Sequence, residues 1–143
     1  MSLKAMTPVR TDRIIGEGSV IALGPIRLTA TLTPGHTAGS TSWSWTSCAN
    51  GQCRRFTYLD SLSALEEGKY RFAQHPEWVA TFHRTLDRVA GMDCGVMLNP
   101  HPAAGSLFER MAGIEAFAAA DDCSRLAHQA RKRLYALATG KKP

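Results

Sequence analysis

The sequence predicts a single mixed α/β domain in which one β-sheet is covered by helices on one face. The chain has 143 residues, of which 44% are hydrophobic and 20% are charged, a composition typical of a globular domain with one packed core. Its first half consists mainly of short β-favouring segments, whereas apolar residues in its second half recur at helical spacing. One further strand pattern lies between the helical segments, and this alternation is typical of a sheet with helices packed on it.

Short β-favouring segments separated by glycine turns make up the first half of the chain. The sequence S-T-S-W-S-W-T over 40–46 alternates small polar residues with Trp43 and Trp45, which is the period-two pattern of a half-buried strand. An Asn50-Gly51 turn follows, and the chain then returns as a second strand, so we expect a β-hairpin here. The strands that these patterns predict cover 13–15, 20–23, 26–32, 40–46 and 54–59.

Helical periodicity marks the second half of the chain. Apolar residues between Trp78 and Val89 predict a helix over 77–90, and a short strand over 93–98 follows it. The sequence Asn-Pro-His-Pro over 99–102 then ends that strand in a loop, because proline fits the interior of neither a helix nor a sheet.

Two further helices are predicted towards the C-terminus. The S-x-x-E sequence over 106–109 has the form of a capping box and predicts a helix whose apolar residues, as far as Phe117, form one face. The last helix is expected to begin near Asp121 or Asp122 and to end at Gly140. No internal repeat, low-complexity tract or linker interrupts the chain, so we interpret it as one domain.

Charge and hydropathy argue against two classes of partner. Seventeen Lys and Arg against twelve Asp and Glu give a net charge of +5, but many of these cations lie in the last stretch of the chain, on the expected solvated face of a helix. Aromatic residues do not interleave with them in the way that a single-strand binder needs, so we expect no binding to nucleic acid. No apolar run reaches the roughly 18 residues that cross a bilayer, and 1–10 lacks the apolar core of a signal peptide. We therefore expect no membrane span, and a cytoplasmic location if the chain is expressed as written.

The chain has four cysteines, and they do not form the C-x-x-C pairs of zinc ribbons or thioredoxins. Composition leaves two interpretations open, since they are either ordinary buried thiols or disulfides suited to an oxidising compartment. Cys48 and Cys53 lie at the two feet of the expected hairpin, and cysteines in such positions can face one another closely enough for a disulfide, so we expect this pair. Cys94 and Cys123 have no comparable local signal.

Polar residues follow the predicted strands at three places and form the candidate site. His36 comes after a strand and a Pro-Gly turn, and His101 lies between two prolines at another strand end. The sequence D-S-L-S over 60–63 closes a third strand. Together these positions favour a metal or catalytic site. Of the other histidines, His83 and His128 lie within predicted helices and are expected at the surface or at the boundary of the core, and His75 precedes Pro76 in a turn.

Three motifs carry a resemblance to a known family. They are T-P-G-H-T-A-G-S-T-S-W-S-W-T over 33–46, Y-L-D-S-L-S-A over 58–64 and M-L-N-P-H-P-A-A over 97–104. In this order and spacing, the chain resembles the C-terminal half of a class B metallo-β-lactamase of the third subclass. The resemblance covers the chain from about Thr7 onward and implies half of an αββα sandwich. It also implies two disulfides, Cys48 with Cys53 and Cys94 with Cys123.

The resemblance also implies roles for individual residues in β-lactam hydrolysis. His36 corresponds to a ligand of the first of two zinc ions, and His101 to a ligand of the second. Ser61 stands where another subclass has a cysteine ligand, and Ser61 and Ser63 correspond to groups that bind the substrate carboxylate. Residues that would support the site are Thr37, Ser40 and Asp60. In the family, zinc lowers the pKa of a bound water, and the resulting hydroxide attacks the lactam carbonyl.

One family motif is missing from these 143 residues. The N-terminal half of the family supplies H-x-H-x-D-H, and no H-x-H occurs here. A catalytic zinc takes about three protein ligands and a water, whereas this chain offers one histidine to each metal. We therefore interpret 1–143 as a single partial domain, truncated and inactive alone, with weak zinc binding or none. The family is periplasmic or secreted.

Loss of the other half has a structural consequence and leaves two alternatives open. The inner face of the sheet, with Trp43 or Trp45, would be uncovered, so we expect the chain to be poorly soluble or to self-associate. One alternative is another hydrolase of the same fold, of the lactonase or thioesterase type, in which a carboxylate near Asp60 bridges two metals. The other alternative is a non-enzymatic binding module that retains half of the scaffold.

Overall fold

A computed structural model describes residue 7 and residues 10–116 and 122–141, and these residues form one five-stranded sheet with helices on one face, as the sequence predicts. The strands are β1 (Val20–Leu23), β2 (Ile26–Leu32), β3 (Thr41–Ala49), β4 (Gln52–Tyr58) and β5 (Val96–Leu98). They lie side by side in chain order, antiparallel from β1 to β4, whereas β5 joins β4 in parallel. A parallel step requires a crossover, and helix α1 (Pro76–Ala90) lies within it.

Two more helices follow β5. They are α2 (Leu107–Met111) and α3 (Asp122–Thr139), and single 3₁₀ turns cover Phe72–Gln74 and Pro102–Gly105. Pro76 opens α1, where its missing N–H leaves no helical hydrogen bond unmade. Gly140 adopts a φ of 67° directly after α3, which is the left-handed conformation that ends many helices. The predicted first and last helices are therefore confirmed.

The two faces of the sheet differ sharply in chemistry. On the face that packs under the helices, β3 and β4 present the buried small polar residues Ser42, Ser44 and Thr57. On the opposite face, which we call the open sheet face, Trp43 pairs with Tyr58 and Trp45 stacks on Phe56 with ring centroids 5.6 Å apart. The same face carries further apolar residues by strand alternation, namely Ile26, Leu28, Ala30, Leu32, Val96 and Leu98.

The hydrophobic core lies between the helices and the end of the sheet near β5. Phe82, Leu86 and Val89 of α1 pack with Leu126 and Leu134 of α3. From the sheet side the core receives Leu59, Cys94 and Met97, whereas the tryptophans of the open sheet face do not belong to it. Burial on the helix side therefore stabilises this half of the fold without a contribution from these tryptophans.

The hairpin of β3 and β4 forms as predicted. Asn50 and Gly51 have φ values of 51° and 76°, so both central residues adopt the positive φ that tight hairpin turns favour. Cys48 pairs with Cys53 directly across the hairpin, and a disulfide joins them with their Cα atoms 4.0 Å apart. A second disulfide joins Cys94 to Cys123, with Cα atoms 6.1 Å apart. Both pairings are those that the family resemblance implies.

The strand predicted over 13–15 is wrong. These residues form no strand, and Ile14 is 90% exposed. The sheet begins at β1, so the segment has no neighbouring strand with which to exchange backbone hydrogen bonds. A three-residue run of β-favouring side chains does not form a strand without such a partner.

The capping box over 106–109 is also wrong. Ser106 adopts a left-handed conformation with a φ of 50°, and its side chain makes no capping hydrogen bond. Helix α2 has only five residues, and Phe108, Met111 and Ile114 are exposed rather than forming a buried face. Burial of the Arg110 side chain instead sets the orientation of α2, because a guanidinium needs its ionic partner. The predicted face residue Phe117 and the possible start at Asp121 lie outside the described residues.

Candidate functional site

His36 lies in a tight loop between β2 and β3, which we call the His36 loop (residues 33–40). The backbone N–H of Thr33 donates to the carbonyl of Ser40 at 2.9 Å, so the base of the loop continues the pairing of the two strands. The Ser40 hydroxyl lies 2.9 Å from the Thr37 hydroxyl and accepts the Thr37 N–H at 3.1 Å. These contacts close the loop on itself and hold the residues on either side of His36.

The imidazole of His36 has a defined orientation. Its Nδ1 atom lies 2.8 Å from the carbonyl oxygen of Ser63. A carbonyl can only accept, so Nδ1 carries the proton in this hydrogen bond and Nε2 of the neutral ring keeps its lone pair. A histidine oriented in this way by a backbone carbonyl has the tautomer that binds a metal through Nε2.

Helix α1 anchors the His36 loop from the opposite side. The Thr85 hydroxyl donates to the carbonyl of Pro34 at 2.6 Å, and the indole N–H of Trp78 donates to the carbonyl of Gly35 at 3.1 Å. A Cβ atom at Gly35 would collide with the ring of Phe82, so only glycine allows this approach. The loop is therefore fixed by both the sheet and the helix.

The D-S-L-S segment follows β4 and contacts the His36 loop. The Ser42 hydroxyl of β3 accepts the backbone N–H of Asp60 at 3.0 Å, and Asp60 Oδ1 accepts the N–H of Ser61 at 2.8 Å. Ser61 is 3% exposed, and its hydroxyl accepts the N–H of Ser63 at 3.3 Å. Ser63 is half-buried, and its carbonyl is the partner of His36.

His101 follows β5 in a turn set by Asn99. The Asn99 side chain accepts the backbone N–H of His101 at 2.8 Å and donates to the carbonyl of Leu59 at 3.1 Å. This arrangement ties the turn to the end of β4, next to the D-S-L-S segment. The His101 side chain itself is exposed.

Two adjacent residues at the start of α3 anchor the segment that carries His101. Asp122 receives a bidentate ion pair from Arg110 of α2, with one of the two bonds 2.8 Å long. Both side chains are buried, and the hydrogen bond to Asp122 raises the pKa of the Arg110 guanidinium. Cys123, the next residue, forms the disulfide to Cys94 just before β5.

The two site histidines line different cavities. His36 lines a cavity of about 540 Å³ beside Glu67, Tyr70 and Trp78, which we call the His36 cavity. His101 lines a smaller cavity of about 160 Å³ between the D-S-L-S segment and α3. Ser63 connects them, because its carbonyl holds His36 while the residue lines the cavity of His101.

The residues present do not complete a metal centre. Within 10–116 and 122–141, no three His, Cys, Asp or Glu side chains are grouped so that they could hold a metal ion. A zinc ion in a catalytic site takes about three protein ligands, so His36 and His101 each fall short of such a set.

In the same part of the chain, no helix has the length and apolar character needed to cross a membrane.

Sequence patterns did not reveal several residues that shape the site. His75, expected only as a residue of the turn before Pro76, is half-buried and stacks on Tyr70 in the His36 cavity, with ring centroids 4.6 Å apart. The sequence pattern places Trp78 among the apolar residues of a helix, yet its indole N–H donates a hydrogen bond to the His36 loop. The Asn-Pro sequence at 99–100 is the one signal that could have identified Asn99 as a turn-forming residue.

The fold and the sequence match half of solved metallo-β-lactamase structures. The metallo-β-lactamase MIM-1 from Novosphingobium pentaromativorans is 32% identical and has a TM-score of 0.88 over 94% of this chain and 50% of its own. MEM-A1, a subclass B3 metallo-β-lactamase from a soil metagenome library, is 35% identical with a TM-score of 0.85, over 94% of this chain and 54% of its own. The chain thus spans about half the length of these proteins. No protein-family model matches it.

Proposed function

We propose that the chain, which is similar in fold and sequence to half of solved metallo-β-lactamases, corresponds to their C-terminal half and supplies half of the active centre of a zinc-dependent β-lactam hydrolase. In this proposal the chain contributes His36 and His101, and a separate half that carries H-x-H-x-D-H contributes the remaining ligands. Alone, the chain does not hydrolyse β-lactams.

The orientation of His36 carries this proposal. The hydrogen bond from Nδ1 to the Ser63 carbonyl sets which tautomer the neutral ring adopts and leaves Nε2 available to bind a metal. Holding the ring in one orientation costs conformational freedom. This cost is explained better by a role as a metal ligand than by an ordinary position in a loop. The same backbone segment presents Ser63 to the cavity that His101 lines, which suits a residue that contacts substrate.

The open sheet face supports the requirement for a second half. Trp43, Trp45 and Phe56 form an apolar surface on the side of the sheet away from the helices. Contiguous apolar surfaces of this kind mark sites of association in soluble proteins. A second sheet packed on this face would complete a two-sheet sandwich and bring further ligands towards His36 and His101.

Fragment complementation tests the proposal. The chain is mixed in the presence of zinc with the half of MEM-A1 that it does not match, and hydrolysis of a chromogenic β-lactam is followed. We expect no hydrolysis by either polypeptide alone and measurable hydrolysis by the mixture. His36→Ala and His101→Ala should each lower that activity by more than the roughly 10- to 100-fold typical of a supporting contact.

His128→Ala provides the matched control, because His128 is exposed on α3 and bonds only locally to Ser124 in the described structure. This variant should keep the activity of the mixture. Hydrolysis by the chain alone would contradict the proposal, as would an inactive mixture in which both polypeptides are folded and associated. Full activity of the His36→Ala mixture would contradict the assignment of that ligand.

A further inference from the structure

We infer that the His36 cavity binds an organic cation, in particular an ammonium group carried on an aromatic or alkyl body. The evidence for binding comes from the cavity itself. The role of this binding rests on the proposed function, under which the cavity receives a cationic substituent of the substrate beside His36.

The size and walls of the cavity suit a small organic group. Its volume of about 540 Å³ lies within the range of ligand sites, and it is open to solvent. Tyr70 and Trp78 supply aromatic surface, and the Tyr70 ring is held in place by stacking on His75. Aromatic faces attract ammonium groups through their quadrupole, most strongly where the ring is held rigidly and is partly desolvated.

The charged side chains that line the cavity are both carboxylates. Within the described part of the chain these are Glu67 and Glu77, and the neighbouring cations Lys69 and Arg71 do not line it. The Arg71 guanidinium instead donates to the carbonyls of Gly68 and Tyr70 and lies 3.8 Å from a carboxylate oxygen of Glu66. A ligand in the cavity therefore meets negative charge without a compensating arginine.

The surroundings of Tyr70 include the same negative charge. Burial raises the pKa of its hydroxyl, and the negative charges of Glu77 and Glu66 raise it further. The part of this effect that comes from the carboxylates also favours a cation, whereas burial disfavours a charge of either sign. His75 lines the cavity too, with its Nδ1 atom 3.6 Å from Oε1 of Glu77, whereas no Lys or Arg of the described residues lines it. The aromatic walls and the two carboxylates together favour cationic over anionic ligands of the same shape.

A hydrogen bond joins the wall of the His36 cavity to the candidate site. Trp78, which forms one wall, donates its indole N–H to the carbonyl of Gly35, the residue before His36. A group bound against Trp78 therefore lies beside the loop that presents His36. The indole N–H also provides a spectroscopic probe at the cavity wall.

The test follows the indole N–H resonance of Trp78 by NMR while the full chain is titrated with 2-phenylethylammonium, and in parallel with the neutral isostere 2-phenylethanol. Trp78→Phe assigns the resonance. We expect the ammonium to shift it with a Kd several-fold lower than that of the alcohol, and added salt to reduce the difference. Glu67→Gln and Glu77→Gln should each weaken ammonium binding by about two- to fivefold, as expected for partly exposed charge pairs, and leave alcohol binding unchanged.

Glu109→Gln makes the same change of charge on α2, away from the cavity, and should leave both titrations unchanged. Equal affinity for the ammonium and the alcohol would overturn the inference, as would no shift at Trp78 or an effect of Glu109→Gln equal to that of the cavity variants. The titration needs neither zinc nor a second half of the protein. Its failure therefore leaves the proposed hydrolase intact, and failure of the complementation assay leaves the cation site intact.

Discussion

The Nδ1 atom of His36 lies 2.8 Å from the carbonyl oxygen of Ser63, although 27 positions separate the two residues in the chain. This hydrogen bond joins the loop after β2 to the segment after β4 and fixes the tautomer of the histidine. The candidate site is therefore held by backbone contacts between strand ends. The contribution of individual contacts to the free energy of unfolding can be measured on this chain alone.

The contact between α1 and the His36 loop should be important for stability. In Thr85→Val the carbonyl of Pro34 loses its hydroxyl donor at a mostly buried position. We expect the free energy of unfolding to fall by about 1–2 kcal/mol in urea titrations. Thr81→Val on the same helix is the control, because its hydroxyl bonds to an exposed carbonyl of its own helix, and it should change stability by less than about 0.5 kcal/mol. Equal effects of the two variants would show that the loop contact is dispensable.

The buried pair of Arg110 and Asp122 should be costly to break. Arg110→Met leaves the fully buried carboxylate of Asp122 with less compensation, and we expect a loss of about 3–5 kcal/mol in the free energy of unfolding. Arg131→Met removes an exposed pair with Asp87 and should cost less than about 1 kcal/mol. A small effect of Arg110→Met would mean that the pair does not anchor the segment that carries His101.

Tyr70 should titrate above its ordinary value. Burial and the charges of Glu77 and Glu66 raise its pKa in the folded chain, so above pH 10 the unfolded state loses this proton more readily than the folded state. The stability contributed by this group is present below about pH 10 and is lost as the pH rises through the folded-state pKa. NMR titration of labelled tyrosine, assigned with Tyr70→Phe, measures the shift. Glu77→Gln should lower this pKa only in part, because burial is the larger cause, and a Tyr70 pKa at its ordinary value would contradict the geometry.

The two disulfides should differ in their contribution to stability. The disulfide between Cys94 and Cys123 spans 29 positions, whereas that between Cys48 and Cys53 spans five. Chain entropy therefore predicts about 3–4 kcal/mol for the longer loop and less for the hairpin. Urea unfolding of Cys94→Ala/Cys123→Ala and of Cys48→Ala/Cys53→Ala tests this order, and a larger loss from the hairpin variant would reverse it.

The parts of the fold that sequence predicted well depend on local patterns. The alternation around Trp43 and Trp45 and the Asn50-Gly51 turn specify the hairpin within a few residues, and the structure confirms it. The capping box at Ser106 failed because a distant contact overrode it. The ion pair of Arg110 with Asp122 orients α2, and no local pattern indicates such a pair.

In the candidate site, too, local patterns were predictable from the sequence and distant contacts were not. Pro34 and Gly35 mark the loop that presents His36, so its position at a strand end was predictable. The contacts that orient it were not, because Ser63 and Trp78 are brought to the loop by the sheet and by α1. The His36 cavity likewise joins residues from separate segments, and Glu67 and Glu77 taken alone are ordinary exposed glutamates.

The zinc content of the purified chain after dialysis shows whether His36 and His101 need ligands from a second half to form a zinc site. Elemental analysis gives the tightly bound zinc per chain. We expect a value near zero for the chain alone, because its described residues contain no group of three ligands. A value near two for the chain alone would contradict the account, since it would mean that these residues complete the metal centre without the other half.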